Sequence, residues 1–453
     1  MKRIGVVHTA PLFTQQVSPM LSQTVLPFKL AATDETLTAH AGLALFGEYY
    51  AAMGIEHLID RELPAPGSAA GYKPSAFAAP LILMLHGGGR TLEDLREVRG
   101  DTGLRTVLRL AEMPSSDAAG DWLRRMGGKG LDGLQRLNRA VARRLAKGED
   151  RNDYTLDIDA TQIVAEKREA HYTYKGEKGY MPMVGHLAEN GLVIGYEFRE
   201  GNAAPSSKNL EFMQACEANM PKGKKIAAVR ADSAAYQAAI FNWCEETGKT
   251  FAIGADRDSA VKAAIRAIPE TDWTPYQDGH VAETVHTMNK TRKAFRLIVI
   301  RRPKQEDLFE ESQGGYRYHA IASNRENETA AGTLQWYGRR GDASENRIKD
   351  LKAGFGMEYM PCGTCAANAA FFALGILAHN LYIGFRRIVL GTDKASQQVQ
   401  TMRWKLYQTA GKVVRHSRQI FLKVSAAALD LFTAIRERCA GLLRKGGCAY
   451  ETP

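Results

Sequence analysis

One ordered series of strands and helices, between residues 154 and 256, most constrains how this chain can fold. The segment YTLDIDATQ, which begins at Tyr154, alternates apolar and polar residues, as a strand does, and places Asp157 and Asp159 on one face. Two more strands are predicted on either side of Asn190-Gly191, because Asn-Gly between apolar runs is a strong signal for a hairpin. The series therefore opens with three strands.

The rest of this segment continues the series. A capped helix that ends at Pro221 is predicted for SSKNLEFMQACEANMP, and a buried parallel strand for KIAAVRAD. A second helix, which stops at Gly248, is predicted for SAAYQAAIFNWCEETG, and another strand for TFAIGAD. This order of elements is that of an RNase H-like domain. In that order the first and fourth strands lie side by side, and a later helix packs across their ends.

The flanking patterns predict the domain organisation. Helical patterns with short loops favour an N-terminal helical domain over residues 1–150. Strand-like runs in 257–325 predict a β-rich insertion, which divides the core into 151–256 and 326–395. Residues 396–453 are helical by pattern and basic. The expected fold class is therefore α/β, with an RNase H-like catalytic core interrupted by a β-rich insertion, an N-terminal helical domain and a basic helical C-terminal tail.

Charge indicates the kind of partner. The chain has 60 Lys and Arg residues against 50 Asp and Glu residues, a net charge of +10. Such an excess of basic residues favours a polyanion as the binding partner. Residues 396–453 hold ten Lys or Arg residues against three Asp or Glu residues, a net of +7. We find no uninterrupted apolar run of about 18 residues, so no membrane partner is expected. Six cysteines in 453 residues are typical of a reducing compartment.

Three acidic residues fall where the predicted elements would bring them together. Asp159 lies on the first strand, Asp232 at the carboxyl end of the fourth, and Glu345 on the helix after the insertion. Three such carboxylates can hold two Mg²⁺ ions, since hard cations prefer oxygen ligands. Each residue also has a structural interpretation. Asp232 is a candidate helix cap, Asp159 shares a solvated strand face with Asp157, and Glu345 is a candidate i,i+4 partner of Lys349.

The sequence around these three residues resembles bacterial insertion-sequence transposases with an Asp-Asp-Glu (DDE) triad. The three similar blocks are DIDAT, VRADSAAY and WYGRRGDASENRIKDLK. The third resembles the Tyr-Arg-Glu-Lys signature of the cut-and-paste group. The Arg-to-Glu interval is one residue longer than in that pattern, and Arg339 is no better spaced than Arg340. The resemblance covers most of the chain and is nearest to the 1380 family of insertion sequences. The residues that match the signature are, in order, Tyr337, Arg340, Glu345 and Lys352.

The resemblance implies that Asp159, Asp232 and Glu345 are both the catalytic residues and the metal ligands. Within it the first Asp is the one followed by a small residue and Thr, which selects Asp159 over Asp157. The implied cofactor is Mg²⁺, for which Mn²⁺ can substitute. Asp157 then either supports the charge of the metal site or is solvated.

The same resemblance implies contacts with DNA. Tyr337, Arg340 and Lys352 are similar to residues that hold the backbone of the transposon end. Lys349 is expected on the same helix face as Lys352, and the tail is predicted to be a DNA-facing helix surface. The tail prediction rests on the residues rather than on the resemblance: the tail carries +7, and its basic residues recur at near-helical spacing. They are Arg403, Lys405, Lys412, Arg415 and Arg418.

The implied function is that of a DDE transposase. It would bind the terminal inverted repeats of its element, cleave the ends and join the 3′-hydroxyls to target DNA. Its partners would be double-stranded DNA and a second copy of the chain in a synaptic homodimer, in the bacterial cytoplasm and on the nucleoid when bound to DNA. Two alternatives stay open from the residues: an RNase H-like nuclease or resolvase without strand transfer, and a non-catalytic DNA-binding protein.

Aromatic residues add two open assignments. Trp273 and Trp336 are candidates for stacking on a displaced base, with core packing as the alternative. The basic and aromatic loop 167–178, which contains Tyr172 and Tyr174, is either a contact to DNA phosphates or a solvated loop.

Overall fold

The structure of the chain is a computed structural model, and it is described over six ranges. These are residues 30–66, 71–110, 112–303, 315–341, 346–391 and 397–444.

The described residues form fifteen α-helices, joined in places by short 3₁₀ and π-helical turns. In chain order they are α1 (Ala41–Ala52), α2 (Ile55–Glu62), α3 (Pro74–Gly87), α4 (Leu95–Gly100), α5 (Thr102–Leu108), α6 (Ser116–Arg125), α7 (Gly127–Lys147), α8 (Asn209–Ala218), α9 (Ala238–Glu246), α10 (Ser259–Arg266), α11 (Ala330–Arg340), α12 (Asn346–Lys349), α13 (Cys365–Gly384), α14 (Val399–Met402) and α15 (Ala426–Arg444).

Fifteen strands are also found in the described ranges. In chain order they are β1 (Leu37–Thr38), β2 (Asp153–Ala160), β3 (Ile163–Val164), β4 (His171–Tyr172), β5 (Lys178–Tyr180), β6 (Met183–Leu187), β7 (Val193–Glu197), β8 (Lys225–Ala231), β9 (Thr250–Gly254), β10 (Thr274–Tyr276), β11 (Gly279–His286), β12 (Phe295–Pro303), β13 (Tyr316–Ser323), β14 (Gly411–His416) and β15 (Gln419–Lys423).

A nine-stranded mixed sheet organises the molecule and confirms the α/β class. Its strand order is β10-β11-β12-β13-β9-β8-β2-β6-β7. Strand β2 pairs parallel with β8 and antiparallel with β6. The prediction that the first and fourth strands of the series lie side by side is therefore confirmed. The register places Asp157 opposite Arg230, so residues two positions further along both strands reach the same edge of the sheet.

The strands predicted for the insertion continue this sheet. Strand β13 pairs antiparallel with β9, and β10–β12 extend the sheet outward. Strand β12 is buried on both faces: Leu297 and Val299 belong to one apolar cluster, and Ile298 and Ile300 to another. Burial on both faces explains the nearly continuous apolar run FRLIVI.

Helix α13 is the central helix of the core and packs against α3, α6 and α7. With the π-helical segment that follows, Cys365–Leu390 is 26 residues long and contains an 18-residue window with a mean hydropathy of 1.4, enough by length and composition to span a membrane. Its most apolar window is 89% buried inside the protein. Asn380 interrupts the apolar run. Its Oδ1 accepts a hydrogen bond from the N–H of Val193, and its Nδ2 donates one to the carbonyl oxygen of Val193, both at 2.9 Å. The helix therefore has the properties of a core helix.

The two ends of the described chain pack together. Strand β1 pairs with β14, where Leu37 lies opposite Lys412, and α1 packs against α15. The helical prediction for 396–453 is wrong over 411–423, where β14 and β15 form a hairpin. Val413, Val414 and Ile420 are β-branched and favour strands. Ser417 and Arg418 at the turn have φ of 48° and 63°, and they lack the Asn-Gly signal that marks such hairpins.

Arg403 and Lys412 also depart from the predicted DNA-facing surface. Lys412 forms an ion pair with Glu35. Arg403 is buried and donates to three main-chain carbonyl oxygens, those of Leu85 (2.7 Å), His86 (2.8 Å) and Gly354 (2.6 Å). Burial lowers the pKa of Arg403 to about 10, so the guanidinium stays charged at neutral pH. Its role is to connect α3 to the segment around Gly354.

Replacing Arg403 with Ala is expected to lower the free energy of unfolding by roughly 2–4 kcal/mol, because three buried carbonyl groups lose a charged donor. Urea unfolding followed by circular dichroism measures the change. Arg415→Ala is the matched control, since Arg415 is exposed in the same tail, and it should change stability by less than about 0.5 kcal/mol. Equal stability of the two variants would contradict the assignment.

Candidate active site

Two of the three predicted carboxylates lie together at the carboxyl ends of neighbouring strands. Asp159 is the second-last residue of β2, and Asp232 directly follows β8. Adjacent strands are about 4.8 Å apart, and the parallel register carries both residues to the same edge. The Asp159 side chain is 26% exposed, and Asp232 is also exposed. Both carboxylates are therefore accessible from solvent.

Asp232 does act as a cap. Its Oδ1 accepts the N–H of Ala234 at 3.1 Å, at the start of the 3₁₀ turn Ser233–Ala235. The structural interpretation of this residue is thus confirmed, and it is compatible with a site role. A cap fixes the side chain through one hydrogen bond and orients the carboxylate.

Helix α11 contacts these strand ends; the helix predicted to carry Glu345 across them stays a prediction. Arg340 Nη2 donates to Asp159 Oδ1 at 3.0 Å and to the carbonyl oxygen of Ile158 at 3.3 Å. One turn earlier, the Tyr337 hydroxyl donates to the carbonyl oxygen of Ala231 at 3.3 Å. Burial lowers the pKa of Arg340, but nearby acidic groups, Asp159 first among them and then Tyr337, Asp232 and Asp157, together outweigh it and raise that pKa. Arg340 therefore stays charged beside Asp159.

The two lysines of the third block lie in different environments. Lys352 Nζ donates to the carbonyl oxygen of Gln162 at 2.8 Å, and burial lowers the pKa of Lys352. Lys349 is exposed. The regular helix face predicted for these residues is interrupted, because α12 passes into a π-helical segment at Asp350–Gly354. Lys352 thus faces the segment that follows Asp159, whereas Lys349 faces solvent.

Glu345 lies outside the described residues. Within the described ranges no group of three or more His, Cys, Asp and Glu side chains could hold a metal ion. Asp159 and Asp232 nevertheless supply carboxylate oxygens, the donors that a divalent hard cation prefers when it keeps water and phosphate in its shell. This donor pair therefore fits such a cation.

Asp157 is not solvated, so that interpretation is wrong. The residue is fully buried. Its Oδ1 accepts a hydrogen bond from Arg230 Nε and its Oδ2 accepts one from Arg230 Nη2, both at 2.7 Å. Arg230 Nη1 also donates to the carbonyl oxygen of Trp336 at 2.6 Å. Sequence reasoning missed Arg230, although a charged residue inside a buried apolar strand signals a buried partner. The pair joins β2, β8 and α11.

Both tryptophans contact arginines of the protein itself, which supports the packing interpretation. Trp336 is half-buried, and the guanidinium groups of Arg230 and Arg325 lie 5.1 and 4.2 Å from its ring centre. Trp273 is 8% exposed, and the guanidinium of Arg301 lies 4.3 Å from its ring centre.

Asp157→Asn is expected to lower the free energy of unfolding by about 3 kcal/mol, because removing one partner of a buried ion pair leaves the other charge uncompensated. Guanidinium unfolding measures the change. Asp153→Asn is the matched control on the same strand, since the Asp153 side chain is 62% exposed, and it should be near neutral. An unfolding free energy for Asp157→Asn equal to that of the control would show that the pair is not structural.

Comparison with known proteins identifies the family. The sequence model described as "Transposase DDE domain group 1" matches residues 24–441. No curated protein matches the chain. A solved cryo-EM structure, that of the piggyBac transposase synaptic complex with hairpin DNA, is similar with 9% sequence identity and a TM-score of 0.44, over 93% of this chain and 88% of that chain. The 1380 family and the Tyr-Arg-Glu-Lys signature stay predictions. Because the family model covers most of the sequence, this chain belongs to the DDE transposases of group 1.

Proposed function

We propose that this transposase binds the terminal inverted repeats of its own mobile element, cleaves the DNA ends and joins the freed 3′-hydroxyls to target DNA. The observation that carries the proposal is the meeting of Asp159 and Asp232 at adjacent strand ends, beneath a helix that brings Arg340 to Asp159. The strand order β7-β6-β2-β8-β9 supports an RNase H-like layout for the core around this site.

The donor set supports a catalytic divalent metal. In this proposal Asp159, Asp232 and Glu345 are the ligands, and Mg²⁺ is the natural ion, with Mn²⁺ as a substitute. When bound, a pair of such ions activates the attacking oxygen and stabilises the leaving oxygen. Arg340 has five N–H donors, so it can stay on Asp159 and also hold a phosphate oxygen. That contact would fix the scissile phosphate against the carboxylates.

Cations around the carboxylates support contacts with the DNA end. Arg340 and Lys352 lie at the site, and Lys349 is exposed on the adjoining helix. Tyr337 sits on the same helix face as Arg340, one turn earlier. We assign these four residues to the backbone of the cleaved end, since phosphate contacts position a protein on DNA.

The hairpin β14–β15 supports a second DNA contact. Arg415 and Arg418 are exposed at its tip, and residues 411–423 carry four basic and no acidic side chains. A two-stranded β-ribbon fits the major groove of B-DNA. We assign Arg415 and Arg418 to duplex DNA from this hairpin, in place of the helix predicted from the sequence.

The wider assembly follows from the reaction. Two ends must be brought together, so we propose a homodimer in the synaptic complex with double-stranded element ends and target. Residues 1–150 and the tail would bind the ends, and 151–256 with 326–395 would form the catalytic core around the insertion 257–325. The proposed location is the bacterial cytoplasm, on the nucleoid when DNA is bound.

Replacing Asp159 or Asp232 with Asn, or Glu345 with Gln, is expected to slow cleavage by at least roughly 100-fold, since a bound metal supplies several kcal/mol of stabilisation to the transition state. End binding should be largely unchanged. The coding region is first searched for flanking inverted repeats, and the substrate is labelled DNA with those repeats, incubated with Mg²⁺ and a target plasmid.

The control for this series is Asp153→Asn, at the opposite end of the same strand, which should cleave normally. Full activity of Asp159→Asn would overturn the site. Cleavage by the wild type without any joined product would instead indicate a nuclease, and end binding without cleavage would indicate a non-catalytic DNA-binding protein.

Neutralising Arg415 and Arg418 together, each to Ala, is expected to flatten the slope of log affinity against log salt by up to about two units, because each phosphate contact contributes about 0.9. Fluorescence anisotropy with duplex DNA over a range of salt measures this slope. The loss should be similar for any sequence if both contacts are to phosphate.

A matched double variant controls for net charge. Lys225→Ala with Arg292→Ala removes two exposed charges outside the regions assigned to DNA; those side chains are 69% and 71% exposed. This variant should keep the wild-type slope. If the two double variants have the same slope, the hairpin does not face DNA.

A further inference from the structure

A small three-stranded sheet directly follows β2, and the function proposed above does not use it. Its order is β3-β5-β4. We call residues 163–180, which contain these strands, the flap. Only Ala160, Thr161 and Gln162 separate Asp159 from the flap, so the base of the flap is close to Asp159.

The tip of the flap is held in place. Gln162 Nε2 donates to Thr173 Oγ1 at 2.8 Å and to Glu177 Oε2 at 3.1 Å. The turn closes through the N–H of Gly176, which donates to the carbonyl oxygen of Thr173 at 2.9 Å. The residues at the tip are therefore presented on a hydrogen-bonded turn rooted in the segment after Asp159.

This tip exposes two aromatic rings. Tyr172 is 70% exposed and Tyr174 is 67% exposed. Single exposed apolar residues are ordinary on protein surfaces, but two large rings within three residues form a patch. Trp273 and Trp336, the other aromatic candidates, contact arginines of the protein itself. Aromatic stacking on a ligand near the candidate active site is therefore available at the flap.

The flap also carries a cation that belongs to the same electrostatic environment as the site. Lys175 Nζ lies 5.7 Å from the centre of the Tyr174 ring. Burial lowers the pKa of Lys352; the charge of Glu358 raises it, that of Lys175 lowers it and that of Asp159 raises it. Lys175 and Asp159 are thus each close enough to Lys352 for their charges to act on it.

We propose that the flap binds unpaired nucleotides of the DNA strand next to the cleavage site, with their bases stacked on Tyr172 and Tyr174. The proposal rests on the proposed function, which supplies DNA as the substrate. Basic side chains alone suffice to hold a duplex by its phosphates. Exposed aromatic rings instead strengthen the binding of single strands, because the faces of unpaired bases are open and can stack on the rings. Lys175 would then neutralise the phosphate that joins two stacked bases.

The test compares two DNA probes with the full-length protein, without divalent metal so that the DNA stays intact. One probe is a duplex with a short single-stranded overhang that contains 2-aminopurine, and the other is the blunt duplex. The double variant Tyr172→Ala/Tyr174→Ala should bind the overhang probe at least about fivefold more weakly. It should also lose the stacking-dependent quenching of 2-aminopurine, with binding of the blunt duplex unchanged.

Two further variants make the test specific. Tyr172→Phe/Tyr174→Phe keeps the rings and should behave as the wild type. Tyr316→Ala removes an exposed tyrosine (38% exposed) of the insertion, far from the flap in sequence, and should have no effect. Overhang binding by the Ala double variant equal to that of the wild type would overturn the proposal. So would a loss in the Phe double variant as large as in the Ala double variant, since hydroxyl contacts would then explain it.

A separate cleavage assay with element ends and Mg²⁺ distinguishes the two proposals. If the wild type cleaves but the Ala double variant keeps full overhang binding, the flap proposal fails alone. If the wild type prefers the overhang through the tyrosines but never cleaves, the proposed function fails and the stacking surface stands. If the wild type binds neither probe, both fail.

Discussion

The buried ion pair of Asp157 and Arg230 is the interaction on which the geometry of the site depends. Moving two charges out of water is costly, and the cost is recovered only when the contact is close and every donor is used. Here both carboxylate oxygens are bound at 2.7 Å, and the remaining guanidinium nitrogen reaches the carbonyl oxygen of Trp336. One side chain thereby fixes β2 and β8 to α11. These are the elements that carry Asp159, Asp232 and Arg340, so the spacing of the site is set by a pair that itself takes no part in the chemistry.

Much of the sheet could be predicted from the sequence because its signals are local. Alternation in YTLDIDATQ, Asn-Gly between two runs and the apolar run KIAAVRAD each mark a strand within a few residues. The helical prediction for the tail was wrong because its basic residues recur at near-helical spacing. The actual strand β14 depends on pairing with β1, which lies near the other end of the chain. The π-helical segments were also missed, since a one-residue widening of a helix leaves no pattern in composition.

The site could be predicted in part for the same reason. Asp159 and Asp232 stand at strand ends that the series of elements already located. Arg230 was missed because its role depends on the register of β2 against β8, which places Asp157 opposite it, and register is not visible along one chain. Arg403 was assigned to a surface on its charge alone. Its three carbonyl partners come from α3 and from Gly354, which are distant in sequence, and only the folded structure brings them together.

The pairing of β1 with β14 has a consequence for how the chain is made. Glu35 and Lys412, which form an ion pair across these strands, are 377 positions apart. Contacts between such distant segments form late, because a long loop must close before they contribute any stability. A chain that emerges from the ribosome in order exposes both strand-end carboxylates long before it can close this sheet. Synthesis that stops after Asp232 but before Gly411 therefore yields a chain with both carboxylates but without β14, β15 or the packing of α1 on α15.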